Sequence, residues 1–250
     1  VAGDAAACTQ AEVASQGPLP RARDASTLWP VERAWDRDTE DLYSAWVQKL
    51  FDDPLDASPS WTSLHAVTRD PARNFLHDAL GLGEDSEAGI TLEPDCADLP
   101  YFLRAYFAWK MRLPFVYSRC YAPGPGRPPA CAETKSNLEP APAGKETLAT
   151  LQRFFSRSVA DTAHSATGRT AAADDRTDLY PVHLGVDTLR PGTVYIDPYG
   201  HVLVVVRRIP QSPSASGMLC VTSSMLMEAV CQPLAARPWK KVCLAATGSR

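Results

Sequence analysis

The sequence has no long hydrophobic run, no large excess of one charge and no internal repeat, and each absence excludes a class of protein. Its longest apolar stretches, such as VLVVV at 202–206, fall far short of the ~20 residues that a membrane-spanning helix needs. We therefore expect no transmembrane segment. A formal net charge of −4 provides no basic surface for DNA or RNA, so we expect no nucleic-acid partner.

The composition is that of a folded chain. Hydrophobic residues make up 45% and charged residues 22% of 250 residues, which suits one domain with appendages. The 22 prolines, against 14 glycines, indicate long irregular connections. We predict a disordered leader at 1–26 and one domain at 27–221, with a Pro/Gly-rich insert at about 121–145. An atypical tail follows at 222–250.

The tail differs in composition from the rest of the chain. Residues 217–250 contain three of the seven cysteines and three of the four methionines. Their single acidic residue, Glu228, stands against four basic ones. One hypothesis is that the chain leaves its native reading frame soon after about Val221; the alternative is a natural but unusual tail. The coding DNA would decide between them.

Hydrophobic periodicity predicts helices in the earlier part of the chain and strands in the later part. Apolar residues recur at helical spacing in 36–51, around 61–67, and in 70–80, 95–110 and 147–163. Strand patterns follow at 193–197 and 201–209, joined by a tight Pro-Tyr-Gly turn, with a short third strand at 217–221. Helices that are segregated from antiparallel strands predict an α+β fold.

The cysteine pattern does not indicate a metal site, because the seven cysteines include no CxxC pair and no Cys/His cluster at zinc spacing. Cys120 and Cys131 bracket a Pro/Gly-rich loop. In an oxidising compartment they can form a disulfide, although connectivity cannot be read from sequence. Cys8 follows three alanines, as at a lipoprotein cleavage site, but no apolar segment precedes it. A lipid anchor at Cys8 and a plain Ala-rich leader therefore both stay open.

Cys96 and His201 are the candidate catalytic residues. Cys96 stands at the head of an apolar helix, where backbone N–H groups and the helix dipole favour the reactive thiolate and can stabilise an oxyanion. His201 opens a strand directly after a glycine, so its ring can project from a sheet edge and act as the base. The simpler alternative is a buried structural cysteine and a structural histidine.

Two residues after Cys96 affect this site. Pro100 lacks an N–H, so a helix that begins at Asp98 accommodates it better than one that begins at Cys96. That start leaves Cys96 just outside the helix. Asp98 also brings a negative charge near the sulfur, which opposes formation of the thiolate.

Two motifs resemble the NlpC-type cell-wall cysteine peptidases. DCADLPYFLRAYFAWKMRLPF at 95–115 is similar to their Asp-Cys helix followed by a Leu-Pro pair. RPGTVYIDPYGHVLVVV at 190–206 is similar to their Pro-Gly strand, short turn and Gly-His-Val strand. The resemblance implies a papain-like fold, in which a Cys-headed helix packs on a small antiparallel sheet. It also implies cleavage of amide bonds in peptidoglycan stem peptides, with Cys96 as the nucleophile and His201 as the general base.

A third residue that orients the imidazole is expected on the strand after His201. The predicted strand at 217–221 has no Asn, Gln, Asp or His. Asp197, just before the turn, is a weak substitute, because capping that turn is its simpler role. His183 and Asp187 precede the hairpin and could line a cleft, although a structural role is the simpler interpretation.

The sequence thus predicts a thiol-dependent hydrolase that acts on a peptide or peptidoglycan substrate through an acyl-enzyme on Cys96. It needs no cofactor, because thiol–imidazole chemistry needs none. The alternatives are a non-catalytic envelope module that binds a peptide or glycan, and a transglutaminase-like acyl transferase. An exported or envelope location suits the Cys120/Cys131 pair and Cys8, while a cytoplasmic one stays open. The sequence predicts no oligomeric state.

Overall fold

The structure is a computed structural model that describes residues 27–57, 59–138, 146–171, 174, 176–182, 185–196, 200–223 and 228–233. Its helices are α1 (Arg37–Leu50), α2 (Leu64–Thr68), α3 (Leu99–Lys110) and α4 (Leu148–Arg153), which continues as a π-helical turn over Phe154–Val159. A 3₁₀ turn covers Ser165–Arg169. The strands are β1 (Val116–Tyr121), β2 (Ala130–Ser136), β3 (Val194–Ile196), β4 (Val202–Ile209), β5 (Met218–Ser223) and β6 (Glu228–Pro233).

The predicted α+β class is confirmed. Strands β1 and β2 form a hairpin of their own, and β3-β4-β5-β6 form a four-stranded antiparallel sheet in sequence order. The helices precede this sheet along the chain. Strand β5 runs past residue 221, where the sequence analysis ends the domain, and β6 pairs with it in the predicted tail. The reading-frame hypothesis for 222–250 stays a prediction.

Helix α3 is the centre of the core, and all twelve of its residues are buried. Apart from Arg104 and Lys110 it is almost wholly apolar, a pattern typical of a helix with neighbours all round. Trp46 of α1 stacks on Tyr106 at 5.4 Å between ring centroids, and Phe155 of the π-helical turn packs against Phe102 at 5.3 Å. These contacts hold α3 between the other helices.

Helix α1 begins and ends where its sequence predicts. Asp36 accepts a hydrogen bond from the Thr39 backbone N–H, while the Thr39 hydroxyl accepts one from the Asp36 N–H. This reciprocal pair is a capping box, which satisfies backbone donors that a helix start leaves open. The apolar stripe of α1 then buries Trp46, Val47 and Leu50.

The predicted helix at 70–80 is wrong, because the structure has turns there. The buried Asn74 amide donates to the Thr68 carbonyl at 2.7 Å and to the Tyr106 hydroxyl at 2.8 Å. Its oxygen accepts from Trp46 and from the Leu76 backbone. Long-range hydrogen bonds to one side chain therefore override the local helical pattern.

Part of the predicted insert at 121–145 is a hairpin rather than irregular chain. Tyr121 and residues 130–136 lie in β1 and β2, and Cys120 pairs directly with Cys131 in the register. The structure joins these two in a disulfide, one of the alternatives that the sequence left open. Residues 139–145 lie outside the described residues.

A second disulfide, which the sequence analysis missed, joins Cys220 of β5 to Cys231 of β6. It repeats the first arrangement, because these cysteines are also directly opposed and also 11 residues apart. The equal sequence spacing of the two cysteine pairs could have predicted this second disulfide.

Among the described residues, none of the helices has both the length and the apolar character required to cross a membrane.

Candidate functional site

Cys96 lies in the turn that leads into α3. Asp95 Oδ1 accepts hydrogen bonds from the backbone N–H groups of Ala97 and Asp98, at 2.7 and 2.9 Å. The Asp95 carbonyl accepts from the Leu99 N–H at 3.0 Å, so this turn has helical bonding. Asp95 therefore caps the segment, and Cys96 is its first residue.

Pro100 separates this turn from the regular helix. Because proline has no N–H, the Cys96 carbonyl receives no helical hydrogen bond, and the regular helix begins at Leu99. Cys96 is half-buried, and it is the one free cysteine among the described residues. The thiol therefore stands at the entrance to a buried helix and stays partly accessible.

Asp98 is buried beside this turn, with only 5% of its surface exposed. Burial, and then the nearby Asp95 and Asp161 carboxylates, raise the pKa of Asp98 to about 7. Its Oδ1 has no hydrogen-bond partner among the described residues. Below pH 7 the side chain is mostly neutral. The charge of Asp98 that opposes the Cys96 thiolate is therefore only partly present at neutral pH.

An apolar cluster connects the Cys96 segment with the start of β4. Leu179, Val194, Ile196 and Val202 form this cluster, and Ala97 packs against it. Ala97 follows Cys96, and Val202 follows His201. The segments that carry the two candidate catalytic residues therefore meet at one end of the sheet.

His201 is exposed and directly precedes β4. Gly200 before it has a φ of +104°, which disfavours any residue with a side chain. A Cβ atom at Gly200 would also lie 3.2 Å from the Ser165 Oγ of the 3₁₀ turn. This glycine therefore fixes the backbone that presents His201.

A cavity of about 200 Å³ opens between α1, the first turns of α3 and residues 180–182 and 187–194. Arg104 crosses its wall and is 2% exposed. Its guanidinium pairs with both oxygens of Glu40 and lies over the Trp35 ring at 3.3 Å from the centroid. Arg190 reaches the same Glu40 at 3.5 Å and Asp41 at 2.6 Å. The cavity thus has an ion-pair network in its wall.

A second polar cluster holds its own cation. Oxygens of Asp78, Glu84 and Asp85 lie within 4.8 Å of one another, a spacing that could hold a metal ion. The buried Lys110 ammonium, however, contacts Glu84 and lies 2.6 Å from Asp85 Oδ2. The Asp78 and Asp85 carboxylates also accept hydrogen bonds from each other's backbone N–H groups. This cluster is best explained as a buried structural network.

Several predicted site residues lie outside the described residues, namely Cys8, His183 and Asp197. Asp187 is exposed and lines the cavity. Two features of this region were not predicted from the sequence, namely Asp95 as the cap and the Arg104–Glu40 pair. The available signal for Arg104 was a charged residue in the middle of an apolar helical run.

Comparisons of the chain with protein-family models, with curated proteins and with solved structures found no match.

Proposed function

We propose that this protein is a thiol-dependent hydrolase that cleaves amide bonds in peptidoglycan stem peptides. Cys96 is the nucleophile and His201 the general base. The observation that carries the proposal is the apolar cluster with Ala97 and Val202, because the residues just before these two are the thiol and the imidazole. A papain-like arrangement of the Cys-headed helix on the sheet is part of the same proposal.

The turn at Cys96 supports a specific role for one backbone group. Asp95 already accepts from the N–H groups of Ala97 and Asp98. The Cys96 N–H is therefore the donor in this turn that is left for a substrate carbonyl oxygen. A donor at this position stabilises the negative charge that develops on that oxygen.

The proposed reaction has two halves. His201 takes the Cys96 thiol proton, and the sulfur attacks the carbonyl carbon of the amide. The C–N bond breaks, and the imidazolium gives its proton to the leaving amine. Water then attacks the thioester with His201 as the base, which releases the carboxylic acid and restores the thiol.

We also propose an exported location. Two disulfides, Cys120–Cys131 and Cys220–Cys231, support an oxidising compartment, because such bonds are rare in the cytosol. A lipid anchor on Cys8 would be one way to retain the protein at the envelope.

The test is the pH dependence of Cys96 alkylation by iodoacetamide in the full chain, read by peptide mass mapping. Mapping separates Cys96 from Cys8 and Cys243. We expect Cys96 to label well below the usual thiol pKa of ~8.5. The variant His201→Ala should shift the profile upward, because the thiolate loses its imidazolium partner.

His77→Ala is the matched control, because His77 lies in the turns at 70–80 and is not part of the proposed site. It should leave the profile unchanged. If wild type and His201→Ala give the same profile, the thiol–imidazole pair does not exist. A non-catalytic binding module would then be the better account.

A further inference from the structure

We propose that the cavity between α1, α3 and residues 180–182 and 187–194 is a subsite for a carboxylate-bearing group of the substrate. The inference deepens the proposed function and rests on it, because a subsite requires a reacting centre beside it. It concerns the chemical class of group that the cavity accepts.

The position of the cavity relates it to Cys96. Pro100, which lines the cavity, lies four residues after Cys96 at the start of α3. Val194 also lines it and belongs to the apolar cluster against which Ala97 packs. The cavity therefore borders the helix and the apolar cluster that also position the Cys96 turn.

Among the charged residues in the cavity wall, Arg190 has a partner, Asp41, that a ligand could replace. Arg104 is buried, and two of its nitrogens bind Glu40, so this pair is fixed. Arg190 contacts the same carboxylate at a longer 3.5 Å, and its closer partner, Asp41, has a 56% exposed side chain. An exposed ion pair of this kind contributes little. A substrate carboxylate can therefore exchange with Asp41.

Two buried polar groups in the cavity wall are available to donate hydrogen bonds. Ser44 Oγ and Arg104 Nε are buried and have no partner among the described residues. Burial and the Glu40 carboxylate raise the pKa of Tyr180, so its hydroxyl keeps its proton and can donate. The Glu40 oxygens are already engaged, and Asp187 is an exposed carboxylate at the rim. These donors favour a ligand that accepts hydrogen bonds, and the exposed pair of Arg190 with Asp41 makes a carboxylate the acceptor that this cation can bind.

The size of the cavity sets the size of the group. About 200 Å³ is below the roughly 300–1,000 Å³ typical of pockets for drug-sized ligands. It suits a group as large as one small amino acid. We therefore assign the cavity to a small residue with a free carboxylate.

The test is a titration of the ¹⁵N-labelled full chain that carries Cys96→Ala, followed through the amide signals of Gly192 and Thr193. The probes are N-acetyl-L-alanine, its neutral amide N-acetyl-L-alaninamide, and the cation L-alaninamide. We expect N-acetyl-L-alanine to bind at least about tenfold more tightly than either, because only it can pair with Arg190. Equal binding of the acid and its amide, or a preference for the cation, would overturn the assignment.

Two substitutions change this preference in opposite directions. Arg190→Gln should abolish it, while Asp41→Asn should strengthen binding of N-acetyl-L-alanine, because it removes the competing carboxylate. Arg207→Gln is the matched control, because it breaks an exposed pair with Asp52 instead. If Arg190→Gln and Arg207→Gln bind the acid equally well, Arg190 is not the recognition group.

The titration uses a chain without the nucleophile. A failure of the proposed hydrolase would therefore be seen in the alkylation test, and a failure of the subsite in this titration.

Discussion

Asp98 illustrates how a single side chain depends on its surroundings. In the sequence it is an ordinary acid at the start of a helix, where a negative charge is normally favourable. In the structure, burial and the neighbouring Asp95 and Asp161 carboxylates raise its pKa to about 7. The folded protein therefore holds a proton on Asp98 that the unfolded chain releases near the ordinary pKa of 3.8.

This difference predicts how stability changes with pH. As pH rises from about 4 to about 7, the unfolded chain loses the Asp98 proton while the folded chain keeps it, so the free energy of unfolding falls. The shift corresponds to at most about 4 kcal/mol. The variant Asp98→Asn does not titrate, so its stability relative to wild type should increase across this window. Urea unfolding at several pH values measures the difference.

Asp56→Asn is the control for this experiment, because Asp56 is exposed in a loop. Its stability should follow that of wild type at every pH. If the curves for Asp98→Asn and wild type run parallel between pH 4 and 7, the high pKa of Asp98 is wrong.

At the scale of elements, two hairpins share one construction. In each, a disulfide joins directly opposed strand residues that are 11 positions apart. The first bridge packs with Ala166 in a small cluster, whereas Cys220 belongs to the main core. The two disulfides therefore close loops of equal length, but only the second packs against the main hydrophobic core.

We expect each bridge to contribute about 3 kcal/mol through restriction of the unfolded chain. The double variant Cys220→Ala with Cys231→Ala should lose more stability than Cys120→Ala with Cys131→Ala, because it also removes contacts in the main core. Urea unfolding of both double variants checks this, with Cys8→Ala as the control. An undiminished stability without Cys220 and Cys231 would show that this bridge does not stabilise the fold.

At the scale of the whole molecule, α3 organises the other elements. All twelve of its residues are buried, including Arg104 and Lys110, whose charges are matched by Glu40, Glu84 and Asp85. Loss of the contacts around α3 would expose the elements that pack against it, namely α1 and the π-helical turn, at the same time. Opening this helix should therefore require global unfolding.

Hydrogen exchange should show this order. We expect the amides of 103–110 to exchange last, and those of the exposed loop at 122–129 to exchange first. Mass spectrometry of peptides at increasing exchange times measures the sequence of events. If the amides of β4 and β5 outlast those of α3, the sheet rather than the helix is the most stable unit.

Sequence features such as caps, turns and apolar periodicity correctly predicted those elements whose stabilising contacts join residues that are close in sequence. The cap and apolar stripe of α1, and the turn and apolar residues of β3 and β4, involve residues a few positions apart. The sequence likewise predicted Cys96 at a helix entrance and a proline-shifted helix start, because Asp95 and Pro100 are its neighbours. It was wrong at 70–80, where Asn74 bonds to Tyr106, 32 positions away.

The sequence by itself determined the α+β class, the helical and strand periods of most elements, and the identity of the two candidate catalytic residues. Tertiary structure decided the turns at 70–80, the second disulfide, the pKa of Asp98 and the cavity lined by Arg104 and Arg190. The physical reason is distance along the chain. Propensity and capping act within a turn or two, whereas Arg190 meets Glu40 across 150 positions. Burial and charge pairing of that kind exist only once the chain has folded.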